Sequence, residues 1–199
     1  MTIPSAAFGG TSPHGGEGSA LQKLRGTAMD AEQVRRAISR IGHEIVERNK
    51  GTDQLVIVGV LHKGDLLAQR LAAILGVPCG VLDVTSHRDD LHLRSAAPDA
   101  RRANNTTQQP SALPPIDGAT VVLVDDVIYK GRTARAAMDA LLDHGRPRAI
   151  QLAVLVDRGH RELPIRPDYV GKNIATADSE RVEVLLEEAD GLDAVVVLG

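Results

Sequence analysis

Two adjacent carboxylates, Asp125 and Asp126, directly follow an apolar run over residues 121–124. Because such a run predicts a buried strand, both carboxylates would lie at the carboxyl end of that strand and could accept hydrogen bonds from a vicinal diol. Further along the chain, Gly131 lets backbone N–H groups approach an anion closely, and Thr133 begins a predicted helix whose N-terminus favours phosphate. A diol site beside a phosphate site fits a ribose 5-phosphate.

Two other interpretations of the aspartate pair stay open on the residues alone. Adjacent aspartates after a strand also occur as a helix cap or as magnesium ligands in nucleoside triphosphatases. The sequence contains no G-x-x-x-x-G-K-[ST] segment, and no G-x-G-x-x-G follows a predicted strand. The sequence therefore supports neither a P-loop nor a dinucleotide-binding site.

The surrounding pattern alternates predicted strands and helices. Asp30 and Gln33 have the spacing of a capping box, and apolar residues recur every three or four positions up to a helix end near Asn49. Apolar strands are predicted at 55–60, 81–85, 121–124 and 150–156, with helices at 66–75 and 133–142. This order predicts an α/β fold with a doubly wound, mainly parallel sheet between helices. Segments 182–186 and 194–198 flank Asp190-Gly191 and predict a C-terminal antiparallel addition.

Composition limits the organisation and the partners of the chain. Residues 1–28 are rich in Gly, Ser, Pro and Ala, which predicts a disordered leader before a single domain at 29–199. A polar stretch at about 86–115 predicts a flexible loop. A net charge of -3 and an aromatic content of 2% restrict any nucleic-acid contact to a local patch. One cysteine, Cys79, and the lack of a membrane-spanning apolar run lead us to expect a cytoplasmic protein without membrane contacts.

Residues 121–142 resemble the phosphoribosyl diphosphate (PRPP) signature of the type I phosphoribosyltransferases and the helix behind it. Longer strings at 35–51, 87–91 and 121–176 resemble the pyrimidine operon regulatory proteins, regulators that are also uracil phosphoribosyltransferases. The resemblance extends from about Ala31 to the C-terminus, apart from the stretch around 95–115. It implies the type I phosphoribosyltransferase fold and a reaction of uracil with PRPP that gives UMP and diphosphate.

The resemblance also implies roles for individual residues. Asp125 and Asp126 would bind the ribose hydroxyls and stabilise positive charge, with Arg88 as a third catalytic residue in the flexible loop. Mg²⁺ would enter on the diphosphate, with no metal site made by the protein. The remaining PRPP and nucleotide contacts would be Lys63, Gly64, Tyr129, Lys130, Gly131, Arg132 and Thr133, and the uracil contacts would be Val156, Asp157 and Arg158.

Three positions depart from the family pattern. Lys130 stands where the phosphate loop usually begins with threonine, Lys63 replaces an arginine, and His87 replaces a tyrosine. A lysine keeps the charge of an arginine but loses its two-pronged hydrogen bonding. An RNA-binding nucleotide sensor with little or no transferase activity is therefore an alternative, and a salvage transferase without an RNA role is another.

RNA binding rests on the resemblance, since residues 30–50 hold only five Arg and Lys against four Asp and Glu. Taken alone, this helix predicts an ordinary solvated face. The resemblance implies that leader mRNA binds in response to UMP or UTP, and that a homodimer or a higher homo-oligomer doubles the patch. The implied RNA contacts are Ser39, Arg40, His43, Arg48, Arg161 and Lys172.

Overall fold

The computed structural model describes residues 24–87 and 111–199, except for the side chain of Ser86. The predicted leader up to residue 23, Arg88 and the loop residues 89–110 lie outside this part. In chain order the elements are β1 (Leu24–Met29), α1 (Ala31–Asn49), β2 (Leu55–Val60), α2 (Gly64–Leu75), β3 (Cys79–Leu82), a 3₁₀ turn (Thr85–His87), β4 (Thr120–Ile128), α3 (Arg132–Asp143), β5 (Ala149–Asp157), β6 (Tyr169–Asn173), β7 (Arg181–Leu185), α4 (Glu187–Asp190) and β8 (Ala194–Leu198).

Five parallel strands form the central sheet in the order β3-β2-β4-β5-β6. Alternate residues of these apolar strands face opposite layers, as the pleat requires. Ile57, for example, packs with α1 and α2, whereas the next residue, Val58, packs with α3. The predicted doubly wound fold is therefore confirmed, with helices on both faces of the sheet.

The first helix forms as its sequence predicts. Gln33 N–H donates to Asp30 Oδ1 at 2.8 Å, and Asp30 N–H donates back to Gln33 Oε1 at 3.0 Å, so the capping box is closed. Its apolar stripe, which includes Val34 and Ile45, is buried against the central sheet. Of the predicted RNA contacts, Arg40, His43 and Arg48 lie on the exposed side of α1.

A second, antiparallel sheet has the order β1-β8-β7. Strands β7 and β8 confirm the predicted C-terminal addition, but β1 corrects the boundary of the leader, because residues 24–28 pair with β8. Arg70 on α2 anchors this small sheet through four hydrogen bonds to Glu188 and Asp193. The two sheets are therefore tied together next to the carboxyl ends of the central strands.

Two further boundaries differ from the prediction. Strand β3 ends at Leu82, before the predicted 85, because a 3₁₀ turn begins at Thr85. At the far end of the predicted 86–115 loop, Ala112 pairs with Val81 and Leu113 packs against the core. No helix within residues 24–87 or 111–199 is long and apolar enough to cross a membrane.

Candidate active site

A cavity of about 490 Å³ opens at the carboxyl end of β4. Residues 125–134 form one wall, Arg158 contributes from the end of β5, and Arg181 and Val182 contribute from the small sheet. The structure thus brings together the carboxylate pair, the predicted phosphate loop and one predicted uracil contact. The contributions of Arg181 and Val182 were missed, because only the packing of the two sheets shows that β7 faces this cavity.

The carboxylate pair lies within β4, which continues to Ile128 instead of ending at Val124 as predicted. Main-chain donors hold both side chains: Asp126 N–H donates to Asp125 Oδ1 at 2.9 Å, and Val127 N–H donates to Asp126 Oδ1 at 2.7 Å. Asp125 is only 8% exposed. Burial raises the pKa of Asp126, while its hydrogen bonds and the nearby charge of Lys63 act in the opposite direction.

Gly64 lets the start of α2 come close to these carboxylates. A Cβ atom at this position would lie 2.5 Å from the carbonyl oxygen of Val124 and 3.1 Å from Asp125 Cα. Any side chain would therefore push α2 away from β4. Gly64 therefore allows α2 to pack closely on β4, and its nucleotide contact stays a prediction.

The predicted phosphate loop, residues 129–133, joins β4 to α3. Gly131 has a φ of +91°, which favours glycine, and α3 begins at the next residue. The N-terminal N–H groups of α3 are oriented as in an anion site. From the loop after β5, Glu162 N–H and Leu163 N–H both donate to the Lys130 carbonyl, at 3.1 and 3.2 Å.

Two cations of this loop share one carboxylate. Lys130 and Arg132 both form ion pairs with Glu162, and the Arg132 Nη2 to Glu162 Oε2 distance is 2.7 Å. The hydrogen bond to Glu162 raises the pKa of Lys130, and the bonds from Lys130 and Arg132 lower the pKa of Glu162. The sequence prediction missed Glu162, which lies 30 residues beyond Arg132 in the chain.

The predicted uracil contacts lie at the end of β5. Val156 is buried, and Arg158, 8% exposed, places its guanidinium 3.9 Å from the centre of the Tyr129 ring. Arg158 Nε also donates to Thr176 Oγ1 at 3.0 Å. Next to this arginine, a second hollow of about 510 Å³ is lined by residues 157–160 and 173–176. Its second wall, formed by the end of β6 and the residues after it, was missed because β6 itself was not predicted.

Lys63 and His87, two of the departures from the family pattern, each contact a carboxylate. Lys63 Nζ donates to Asp190 Oδ2 at 2.7 Å and to the Val184 carbonyl at 2.5 Å, so its ammonium group is held against the small sheet. His87 Nε2 lies 2.9 Å from Asp143 Oδ2 at the end of α3.

Five of the six predicted RNA contacts gather around α1 and the neighbouring strand β6. Arg40 Nη2 donates to the carbonyls of Val170 and Gly171 at 2.9 and 2.7 Å. Arg48 pairs with Asp168 at 2.7 Å, and Lys172 Nζ donates to the Ala28 carbonyl at 2.8 Å. The other two members of this group are the half-buried Ser39 and the exposed His43.

The sixth predicted RNA contact, Arg161, lies elsewhere. Its side chain is directed toward Tyr129 and Asp157, beside the cavity. Within residues 24–87 and 111–199, no group of three or more His, Cys, Asp or Glu side chains is arranged to hold a metal ion.

Comparisons with known proteins agree with the fold. The family model of the phosphoribosyl transferase domain matches residues 29–188. "Bifunctional protein PyrR" of Brevibacillus brevis is 55% identical over 176 residues, which cover 85% of this chain and 94% of the relative. The protein of the same name from Pelotomaculum thermopropionicum is 53% identical over 184 residues, which cover 89% of this chain and 98% of the relative.

Solved structures show the same fold at low identity. The hypoxanthine phosphoribosyltransferase of Trypanosoma cruzi, in complex with the product IMP, matches with a TM-score of 0.64 and 20% identity, over 88% of this chain and 90% of that chain. A hypoxanthine-guanine phosphoribosyltransferase of Bacillus anthracis also gives a TM-score of 0.64, at 18% identity over 89% of this chain and 99% of that chain. With its matching domain and its close relatives, the chain belongs to the phosphoribosyl transferase domain family and, within it, to the PyrR proteins.

Proposed function

We propose that this protein transfers the phosphoribosyl group of PRPP to uracil, giving UMP and diphosphate, and that it regulates pyrimidine genes by binding leader mRNA in response to UMP or UTP. One observation carries the transferase part: Asp125, Asp126 and the 129–133 loop line the same cavity. A diol-binding carboxylate pair and a phosphate cradle thus face one ligand. The relation to the PyrR proteins supports uracil as the base and RNA as the second partner.

In the proposed reaction, a uracil nitrogen forms a bond to the anomeric carbon while the bond from that carbon to diphosphate breaks, and the proton of that nitrogen is taken up by the released diphosphate. Positive charge develops on the ribose ring as diphosphate leaves with the electron pair. Asp125 and Asp126 accept hydrogen bonds from the ribose hydroxyls and stabilise this charge in a partly buried site, where electrostatic attraction is strong. Burial raises the pKa of Asp126, and a cationic ring beside it would act in the opposite direction and favour the carboxylate.

The 5-phosphate binds at the start of α3, where backbone N–H groups and the helix dipole favour an anion. Uracil lies toward the end of β5, against Val156, Asp157 and Arg158 and mainly on backbone groups. Tyr129 connects the phosphate end of the site with the uracil end. It belongs to the phosphate loop, and its ring stacks on Arg158 at the end of β5.

Mg²⁺ is the cofactor that we propose, entering with PRPP. The carboxylates of Asp125 and Asp126 beside the cavity are hard oxygen donors, which suits an ion that also keeps diphosphate oxygens and waters. When bound, Mg²⁺ neutralises the diphosphate group. We assign Arg88 a role in closing over PRPP from its family position, since it lies outside the described residues.

The proposed RNA face consists of Ser39, Arg40, His43, Arg48 and Lys172. Its arginines pair with Glu44 and Asp168 on the protein surface, and phosphates of RNA can replace these carboxylates at low cost. A homodimer would place two such faces in one assembly and concentrate positive charge locally, although the chain carries a net charge of -3. We propose a cytoplasmic location, where PRPP and nascent mRNA are both present.

A nucleotide sensor with little transferase activity is the second candidate function. The ion pairs of Lys63 with Asp190 and of Lys130 with Glu162 favour it, because each lysine is already held by a carboxylate of the chain. In a sensor, UMP would bind in the same cavity without rapid transfer.

The deciding experiment incubates the protein with PRPP, Mg²⁺ and either uracil or hypoxanthine, and measures nucleotide formation by chromatography. We expect UMP from uracil and no IMP from hypoxanthine. UMP binding without UMP formation would establish the sensor instead. Formation of IMP, together with equal binding of a pyrimidine leader hairpin and its scrambled sequence, would indicate a salvage transferase without an RNA role.

A further inference from the structure

Arg161 makes more polar contacts with the loops around the cavity than its position in the sequence suggests. Its Nη2 donates to Asp157 Oδ2 at 2.6 Å, and its Nη1 donates to the Tyr129 carbonyl at 2.7 Å and to the Gly159 carbonyl at 3.1 Å. Its Nε donates to the Ile165 carbonyl at 2.9 Å. One guanidinium group therefore satisfies four acceptors from three parts of the chain.

These acceptors lie at both ends of the proposed nucleotide site. Asp157 ends strand β5, where we place uracil, and Tyr129 begins the phosphate loop. The planar guanidinium fixes the directions of its N–H groups, so it also fixes the separation of these two segments. The Arg161 side chain is 19% exposed and Asp157 is 18% exposed, so solvent screens their ion pair less than it screens the pairs on α1.

The neighbours of Arg161 reinforce the same connection. Leu163 and Ile165 lie 3.5 and 3.6 Å from the position of a Cβ atom on Gly131, and Arg161 Cδ lies 4.0 Å from it. The loop after β5 thus packs directly on the backbone of the phosphate loop. Movement of one loop would displace the other.

We propose that Arg161 is a positioning residue for phosphoribosyl transfer, which holds the uracil end of the site at a fixed distance from the 5-phosphate cradle. This proposal rests on the proposed transferase function and assigns Arg161 to the nucleotide site rather than to the RNA face. The residue acts through Asp157 and the Tyr129 carbonyl, without touching the reacting atoms. Small displacements of bound groups lower rates strongly, so the contribution to catalysis is large.

The test compares the variants Arg161→Gln and Arg161→Lys with Arg166→Gln, which removes an exposed arginine from the same segment. For Arg161→Gln we expect kcat/KM to fall on the order of 100-fold, with higher KM values for both PRPP and uracil. Arg161→Lys keeps the charge but cannot reproduce the fork, so we expect a loss of about tenfold. Arg166→Gln should keep the parent kinetics.

A purely structural role predicts a different pattern. It would lower the melting temperature and the amount of active enzyme, and hence the apparent kcat, while both KM values stay unchanged. That pattern, or insolubility of both Arg161 variants beside a folded Arg166→Gln protein, would overturn the proposal.

A double-mutant cycle with Asp157→Asn tests the route of the effect. If Arg161 acts through Asp157, replacing Arg161 in the Asp157→Asn variant should cost much less kcat/KM than replacing it in the parent protein. Fully additive losses would contradict that route.

UMP formation by the parent protein tests the transferase function separately from the role of Arg161. If the parent protein forms no UMP, the comparison moves to UMP affinity measured by calorimetry. Weaker UMP binding in Arg161→Gln, by about fivefold or more, then supports the positioning role, and equal binding overturns it. If the parent forms UMP and Arg161→Gln matches it, only the role of Arg161 falls.

Discussion

The cavity at the end of β4 and the exposed face of α1 both carry charged side chains, but these charges are held differently. In the cavity, backbone N–H groups hold Asp125 and Asp126, and a left-handed glycine shapes the phosphate loop. On α1, the arginines pair with surface carboxylates, in ion pairs that contribute at most about 1 kcal/mol each. The proposed nucleotide site is therefore formed before a ligand arrives, whereas RNA bound at the proposed face would have to replace the carboxylates that pair with its arginines.

The largest effect that we expect comes from removing a charge in the preformed site. Asp125→Asn and Asp126→Asn should each weaken UMP binding by about 30-fold, because a hydrogen bond to a charged group contributes roughly 1.5–3 kcal/mol. Calorimetric titration with UMP measures this change. Asp139→Asn, on the exposed side of α3, is the matched control and should bind UMP as the parent does. Unchanged affinity in both variants would place the site elsewhere.

The second effect concerns the exchangeable charges of the RNA face. Replacing Arg40 and Arg48 with alanine should lower RNA affinity by an order of magnitude and make its salt slope shallower by about 0.7–0.9 for each phosphate interaction that is removed. Gel shifts at several salt concentrations provide both values. Arg36→Ala removes the same charge one turn earlier and is the control, because Arg36 pairs only with Glu32 on its own helix among the described residues.

Sequence preference should depend on other residues of this face. Substituting Ser39 or His43 should reduce the preference for a cognate hairpin over its scrambled sequence, because groups that donate and accept hydrogen bonds read unpaired bases. UMP affinity should stay unchanged in all these variants. Equal binding of both RNAs by the parent protein would contradict the regulatory function.

Elements with local sequence signals could be predicted, whereas elements defined by long-range pairing could not. Helix α1 and strand β2 have the predicted bounds, because capping and apolar periodicity are local signals. Strand β4 is longer than predicted, since carboxylates at a strand end interrupt the apolar run while the backbone pairing continues. Strands β1 and β6 were missed, because they are edge strands that bury few residues.

The candidate site shows a similar division. The sequence placed Asp125, Asp126 and the 129–133 loop together, because they are close in the chain. The carboxylates that pair with the cations of the site could not be predicted, because they are distant in the sequence. Asp190 lies 127 residues from Lys63, and Glu162 lies 30 residues from Arg132. The RNA contact at Arg161 stays a prediction, since the sequence shows the charge of this residue but not its contacts with Tyr129 and Asp157.

We expect a smaller effect at Lys130. Its ion pair with Glu162 is exposed, like the ion pairs on α1, so a ligand can replace the carboxylate. Lys130→Thr should raise the rate of UMP formation about threefold, since a hydroxyl can donate a short hydrogen bond to the 5-phosphate without a competing contact to Glu162. Steady-state kinetics at several PRPP concentrations measure the change, and Glu162→Gln isolates the competition alone. A lower rate in Lys130→Thr would show that the lysine itself binds the phosphate.

The smallest effect concerns the stability of the Asp126→Asn variant. We expect this variant to be more stable than the parent protein, although it should bind UMP more weakly. Burial raises the pKa of Asp126 in the folded chain, so the folded state binds this proton more tightly than the unfolded state does. Proton binding at Asp126 therefore stabilises the folded state below the unfolded pKa of about 3.9. This stabilisation is lost as the pH rises through the higher pKa of the folded state. Asparagine carries no charge at any pH and can still accept the hydrogen bond of Val127.

Asp126→Asn should therefore raise the melting temperature by a few degrees at pH 7, and the gain should vanish below about pH 4. Thermal unfolding followed by circular dichroism between these pH values measures it, with Asp139→Asn as the exposed control. A lower melting temperature at pH 7 would mean that the attraction between Asp126 and Lys63 outweighs the cost of burial. In that case the Asp126 carboxylate would stabilise the folded chain through an ion pair. The charges of the cavity and of α1 would then be held in the same way.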